Sequence, residues 1–414
     1  MKNKFTTLQK ISLPLLFALT IGAAPFICAH GTPAHAADQL GDPAPTGSTF
    51  QQLTPDWEKT IRKPQYGVDA EISTYANGRV YYKLKEQIAA AEVTSGKTKW
   101  TVPVTMAAPP VADTTALYVI NKQNLLYKLD QKTGKVLWKS TIPHPGTKKK
   151  PVPVNVLVQG NLIITSDSHT LSAFDRVSGK LKWQDSKTSN AGYRVEQSSD
   201  TIILAMPDRP NWQRGNPFYA YDSRTGRLLW KTAARYNKAI TVQDGYVYSQ
   251  KYKTEETPGY TVNIDKIDLQ TGKVVQTFGY LIDKEAWSGW GASVDYYDGD
   301  FYVIRTISYE DRQWGLFRIP LGTLSGSKPA ASYSFYTPIY QVNFSGNVLA
   351  VALMDENVYF LNRQNGQQLG VSIFESNFFN TTLDAETHFL IQTAGKISAV
   401  RIPEIPLDDK KSKK

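Results

Sequence analysis

A chain of 414 residues with 41% hydrophobic and 12% aromatic residues can bury a large core, and its length fits two or three ordinary domains or one long repeat array. Its single cysteine excludes a disulfide framework and a multi-cysteine metal site. The formal charge of +10 favours anionic surfaces such as wall polymers or phospholipid headgroups.

Residues 1–36 have the pattern of an export signal. Lys2, Lys4 and Lys10 precede an apolar run over 11–27, and Ala34-His35-Ala36 supplies a small-x-small cleavage site. Pro14 and Pro25 break the run, so removal is expected rather than a retained membrane anchor. Cys28 lacks the small residue that precedes a lipidated cysteine, which favours free secretion over a lipoprotein. Without this segment the charge is +7 and no thiolate nucleophile or cysteine ligand remains. Export also argues against nucleic acid as a partner. Residues 37–56, rich in Pro, Gly, Ser and Thr, are expected to form a flexible linker, with structure beginning near Trp57.

From there one hairpin recurs. In residues 125–142 a strand reaches Asp130, Gly134 closes a turn, and a second strand carries Trp138. Asp130 can accept hydrogen bonds from the turn amides, and Gly134 tolerates the positive φ that the reversal needs. Related strands are IAAAE (88–92), LYKLD (126–130), LSAFD (171–175), FYAYD (218–222), IDKID (264–268), VYFLN (358–362) and ISAVR (397–401). A weaker copy lies near residues 316–320, where the turn pattern fails and the register of the sixth unit is left open.

The turn acids Asp130, Asp175, Asp222 and Asp268 are each followed four residues later by Gly134, Gly179, Gly226 and Gly272. Trp100, Trp138, Trp183 and Trp230 follow their own glycines by four, and are spaced 38–47 residues apart. Four-stranded units of that length predict a single all-β, eight-bladed β-propeller over residues 57–402. Residues 57–61 resemble 138–142 but lack three preceding strands, while the last copy lacks its fourth. The N-terminal strand should therefore complete the last blade. The tryptophans fit packing between blades better than a cofactor platform.

The D-x-x-[TS]-G-K-x-x-W copies resemble the repeats of pyrroloquinoline-quinone-like (PQQ-like) β-propellers. That resemblance implies the propeller fold, and the family includes both quinoprotein alcohol or glucose dehydrogenases and non-enzymatic scaffolds. A dehydrogenase would hold the quinone in the central funnel, with calcium and an aspartate base. Alcohol dehydrogenases of this kind stack the quinone on a ring of adjacent cysteines, which this chain lacks, and their calcium and base motifs have no match here. No cofactor is expected.

Other chemistry is sparse. After the signal only His144, His169 and His388 remain, without zinc-ligand spacing, so no metal is expected. The turn acids recur once per blade, as structural residues would. There is no Gly-x-Ser-x-Gly elbow and no phosphate-binding glycine loop, so no catalytic residues are assigned.

Function is expected where the copies stop agreeing. Insertions at 206–217, 251–261 and 308–315 separate second and third strands, and those at 144–150 and 281–291 join an outer strand to the next inner one. In an up-and-down blade these connections share one rim. It would carry Arg209, Trp212, Arg214, Trp287, Trp290 and Trp314, with Tyr252, Tyr309, Arg312 and the triplet Lys148, Lys149 and Lys150. Aromatic and arginine side chains are common binding hot spots. The sequence therefore points to a secreted, monomeric, non-enzymatic propeller, free or associated with the cell wall through its basic charge, that binds a protein or an anionic wall or glycan partner through the loop face of blades 3–6. The alternative is a PQQ- and calcium-dependent dehydrogenase. Residues 403–414 form a short polar, basic tail.

Overall fold

A computed structural model describes residues 51–61, 73–143, 153–167, 170–185, 193–207, 215–252, 261–281, 293–308, 313–374, 379–393 and 395–405. All regular elements among them are β-strands, arranged in eight four-stranded sheets. Blade 1 contains Thr74–Ala76, Arg79–Leu84, Gln87–Glu92 and Thr98–Val102, paired antiparallel in that order from inner to outer edge. Blades 2–7 repeat this order over residues 111–141, 153–185, 193–231, 236–281, 293–335 and 339–373. Blade 8 takes three strands from residues 379–401 and its outermost from Trp57–Thr60, with Trp57 opposite Ala399. The expected closure by the N-terminal strand is present.

The blades cohere because each second and third strand has apolar residues on both faces. One face packs against the blade before and the other against the blade after. Eight apolar clusters result, one at each junction, including the junction of blade 8 with blade 1. At about 25 cal/mol per Å² of apolar surface removed from water, these junctions rather than the turns dominate cohesion.

The recurrent tryptophans fasten the junctions. Trp100 lies against Gly134 of the next blade and its indole N–H donates to the Gln131 carbonyl at 2.9 Å. Trp57, Trp183 and Trp230 repeat the contact on Gly96, Gly226 and Gly272 and donate to Val93, Ser223 and Leu269 carbonyls. Trp138 packs on Gly179, but the Arg176 carbonyl of that blade accepts Lys128 Nζ instead. Each of these tryptophans thus packs between two blades.

Where the tryptophan is missing, something else fills its place. In blade 6 the Tyr333 hydroxyl donates to the Arg363 carbonyl, the position that follows the turn residue Asn362. In blade 7 Gly370 holds the tryptophan position, and Leu53 lies where a Cβ on Gly370 would reach. Gln52 bridges Val371 in parallel, so residues 51–56, assigned by composition to a linker, lie against the outer edges of blades 7 and 8. The third strand of blade 6 is Gln313–Pro320, with Trp314 opposite Phe335, which fixes the register that the sequence leaves open.

Candidate binding rim

Strand direction divides the connections between two rims. First-to-second and third-to-outer turns share one, here called the turn rim. Second-to-third and outer-to-inner connections share the other, here called the insertion rim. The strands flanking all five sequence insertions end on the insertion rim: Ile202–Pro207 and Tyr219–Asp222, Tyr246–Lys251 and Thr261–Asp268, Asp300–Ser308 and Gln313–Pro320, Val136–Thr141 and Pro153–Gln159, Val274–Leu281 and Ser293–Tyr297.

Two of the candidate residues are described. Trp314 is half-buried at the rim end of its strand. Tyr252 is half-buried directly after Lys251, with its N–H donating to the Arg235 carbonyl at 2.9 Å. Its side chain lies against Gly215, at φ 61°, where an added Cβ would come within 2.7 Å of the tyrosine Cβ. The end of the blade 4 insertion is therefore tied to blade 5. Lys148, Lys149, Lys150, Arg209, Trp212 and Arg214 lie outside the described residues, as do Trp287, Trp290, Tyr309 and Arg312.

The structure adds four rim residues that the sequence did not single out. Tyr336, Tyr340, Met354 and Ile373 are 41–59% exposed. Tyr336 comes from the passage between blades 6 and 7, Tyr340 from the start of blade 7's inner strand Ile339–Ser345, Met354 from the second-to-third turn of blade 7, and Ile373 from the insertion-rim end of its outer strand. Asp355 stands among them, accepting from Thr337 Oγ1 at 3.3 Å and from the Asn357 N–H at 3.2 Å. No insertion marks these residues. A comparison of turns finds Met354, because the corresponding corner in blade 2 holds the polar Asn121-Lys122-Gln123-Asn124.

The turn acids are on the opposite rim and serve the chain. Asp130 Oδ1 accepts from Thr133 N and Oγ1 at 2.8 and 2.7 Å, and Asp175 does the same with Ser178. Those Ser178 bonds hold the Asp175 carboxyl at about 2, and Thr133, Thr225 and Thr271 hold Asp130, Asp222 and Asp268 below the usual range. Buried Asp265 accepts the Tyr236 hydroxyl at 2.9 Å and the Thr277 hydroxyl at 2.6 Å, and burial raises the Tyr236 pKa. His388 Nε2 meets Asp56 Oδ2 at 3.0 Å beside Arg401, at the ring closure. His144 and His169 lie outside the described residues.

A quinone held with calcium, which the resemblance implies for the dehydrogenases among PQQ-like propellers, would need a gathered set of ligand side chains. Among the described residues no three His, Cys, Asp or Glu side chains come together to hold a metal ion. Asp265 is engaged by two hydroxyls within a blade junction. The described residues therefore do not gather the ligands of a calcium–quinone centre.

Residues 84–208 match the family model described as outer membrane protein assembly factor BamB. Among solved structures, BamB from Moraxella catarrhalis is 16% identical with a TM-score of 0.55, covering 84% of this chain and 99% of that one. The computationally designed Ika8 protein is 13% identical with a TM-score of 0.57, covering 83% and 99%. Quinohemoprotein alcohol dehydrogenase from Comamonas testosteroni is 11% identical with a TM-score of 0.56, covering 87% of this chain and 78% of that one. At these identities the likeness is one of fold. No curated protein sequence matches the chain.

Proposed function

We propose that this chain, a propeller of the PQQ-like repeat family, is an exported, non-enzymatic scaffold that holds a protein partner on its insertion rim. The observation that carries the proposal is the exposed group Tyr336, Tyr340, Met354 and Ile373 on the rim where the strands flanking every long insertion end. Large apolar and aromatic side chains grouped on one surface are typical of protein contact sites. Tyrosine and methionine bury substantial area, and methionine adapts its shape to the partner. Asp355 beside them suits a partner segment that brings a cation to an apolar contact. Similarity to BamB, described as an outer membrane protein assembly factor, supports a scaffolding role. Export rests on the N-terminal sequence, with Lys2, Lys4 and Lys10 ahead of the apolar run. A wall polymer or glycan would more naturally meet the triplet Lys148, Lys149 and Lys150, which the sequence sets between two strands that end on this rim.

The test is affinity capture from cell-envelope material with the wild-type chain and with Tyr336→Ser/Met354→Ser, followed by titration of each captured protein. Loss of two anchors should weaken a genuine partner by roughly 30-fold or more, since truncating an interface residue that contributes costs about 1 kcal/mol or more each. Trp212→Ala/Trp314→Ala should weaken the same partner. Equal affinity across all three proteins would remove the insertion rim from consideration.

A further inference from the structure

The sequence holds four methionines, of which Met1 stands in the segment that reads as an export signal. Met106 is 7% exposed in the apolar cluster between blades 1 and 2, and Met206 is 3% exposed in the cluster between blades 4 and 5. Met354 is 52% exposed. It opens the second-to-third turn of blade 7, directly after Val348–Leu353, and its N–H donates to the Pro338 carbonyl at 3.0 Å. The residues that follow the second strands of blades 1 and 2 are Lys85 and Asn121, so the repeat does not place a thioether at this corner.

A thioether turns from apolar to polar by a two-electron oxidation. Its sulfur lone pair attacks one oxygen of hydrogen peroxide; the S–O bond forms as the O–O bond breaks, and the other oxygen leaves as water. Sulfur is oxidised and the peroxide reduced. Reversal takes two thiols, which become a disulfide while the sulfoxide oxygen leaves as water. The lone Cys28 cannot supply that pair, so the reductant is an external dithiol enzyme. At Met106 and Met206 peroxide meets sulfur only when a blade junction opens. At Met354 that barrier is absent.

We propose that Met354 is a site of reversible sulfoxidation by peroxides, and that its oxidation releases a partner held on the insertion rim. Release rests on the scaffold role proposed above; the modification does not. A sulfoxide oxygen covered by a partner needs a hydrogen-bond donor, or its desolvation is lost free energy. The side chains of the turn supply none: Asp355 and Glu356 carry carboxylates, and Asn357 Nδ2 already donates to the Asp355 carbonyl at 3.3 Å. The fold itself is spared, because the oxidised side chain stands outside the blade junctions.

The experiment treats the full chain with hydrogen peroxide, removes the excess with catalase and maps sulfoxide at each methionine by peptide mass. Met354 should react roughly tenfold or more faster than Met106 and Met206, which depend on local opening. The singly oxidised chain should keep the untreated melting temperature, and the two epimer-specific methionine sulfoxide reductases with dithiothreitol should restore its mass. Equal rates at the three methionines overturn the site, as does a lowered melting temperature at one oxygen per chain or a mass that the reductases leave unchanged. For release, a protein captured from cell-envelope material is titrated against the chain before oxidation, after it and after reduction. Oxidation should weaken binding roughly tenfold, reduction should restore it, and Met354→Leu should lose the response to peroxide, whatever its own affinity. Equal affinity of the oxidised and untreated wild type overturns release and leaves the scaffold role standing. Capture of no partner ends both, and the modification is then decided by the mass map alone.

Discussion

Gly226 shows how one missing side chain sets the spacing of two blades. A Cβ there would lie 2.5 Å from Cε3 of Trp183, and the backbone sits at φ 71°. Gly299 has a similar φ of 84° but nothing within 4 Å of its Cβ position. Gly299→Ala should therefore cost only the left-handed backbone penalty, about 1–2 kcal/mol. Gly226→Ala must also displace an indole that donates to Ser223, adding about 1–3 kcal/mol of overpacking. Urea denaturation of the two variants separates these contributions; equal losses would mean that the glycine–tryptophan contact does not restrain the blades. The positions of the recurring aspartates, glycines and tryptophans were legible because spacing repeats them. Tyr333 was not, because a phenol reaching the same carbonyl from a drifted position leaves no trace in the motif.

At the scale of the element, the third-to-outer turn is a hydrogen-bonded unit that depends on a charged carboxylate. The bonds from Ser178 lower Asp175 to about 2, and the threonine turns lower Asp130, Asp222 and Asp268. A free aspartate titrates near 3.9. Because the folded values are depressed, their stabilisation is complete above about pH 4 and is lost as pH falls through the folded values. The urea midpoint should therefore drop between about pH 4 and pH 2. Asp175→Asn should reduce that drop, since an amide keeps an acceptor but cannot be protonated there; Asn362 already occupies the same place in blade 7, accepting from the Gln364 N–H at 2.9 Å. An unchanged pH slope in the variant would show that this carboxylate is not linked to folding. Blade 6 escaped the motif because residues 321–330 replace its short turn. Gly326 N–H donates to the Gly279 carbonyl and Ser325 Oγ accepts from the Gly279 N–H, so the longer connection covers blade 5 beside Gln276, where the tryptophan is missing. The insertion rim followed from strand parity alone, but the exposed group on blades 6 and 7 did not. It arises from ordinary-length connections whose side chains, rather than their lengths, depart from the repeat.

For the whole molecule, closure converts eight weakly independent sheets into one cooperative body. The N-terminal segment touches three blades: Leu53 fills the place beside Gly370, Trp57–Thr60 pairs with Lys396–Ala399, and Trp57 lies on Gly96. Asp56 adds a polar fastening. The hydrogen bond from His388 is the largest cause holding its carboxyl below the ordinary range, and Arg401 contributes. Opening a ring exposes apolar faces on both sides of the break, whereas trimming an exposed outer residue exposes almost nothing. Trp57→Ala should thus cost about 2–4 kcal/mol, a half-buried indole falling at or below the range for core aromatic truncations. Leu137→Ala, on an equivalent but uncovered outer strand, should stay within about 0.5 kcal/mol. Deleting residues 1–60 should go further and remove the single cooperative transition, with hydrogen exchange accelerating first at Leu390 and Ile397, which line the junction of blades 8 and 1. If the truncated chain instead unfolds at the wild-type urea midpoint with the same slope, the three remaining strands of blade 8 close the ring unaided, and the N-terminal strand is an ornament on its edge.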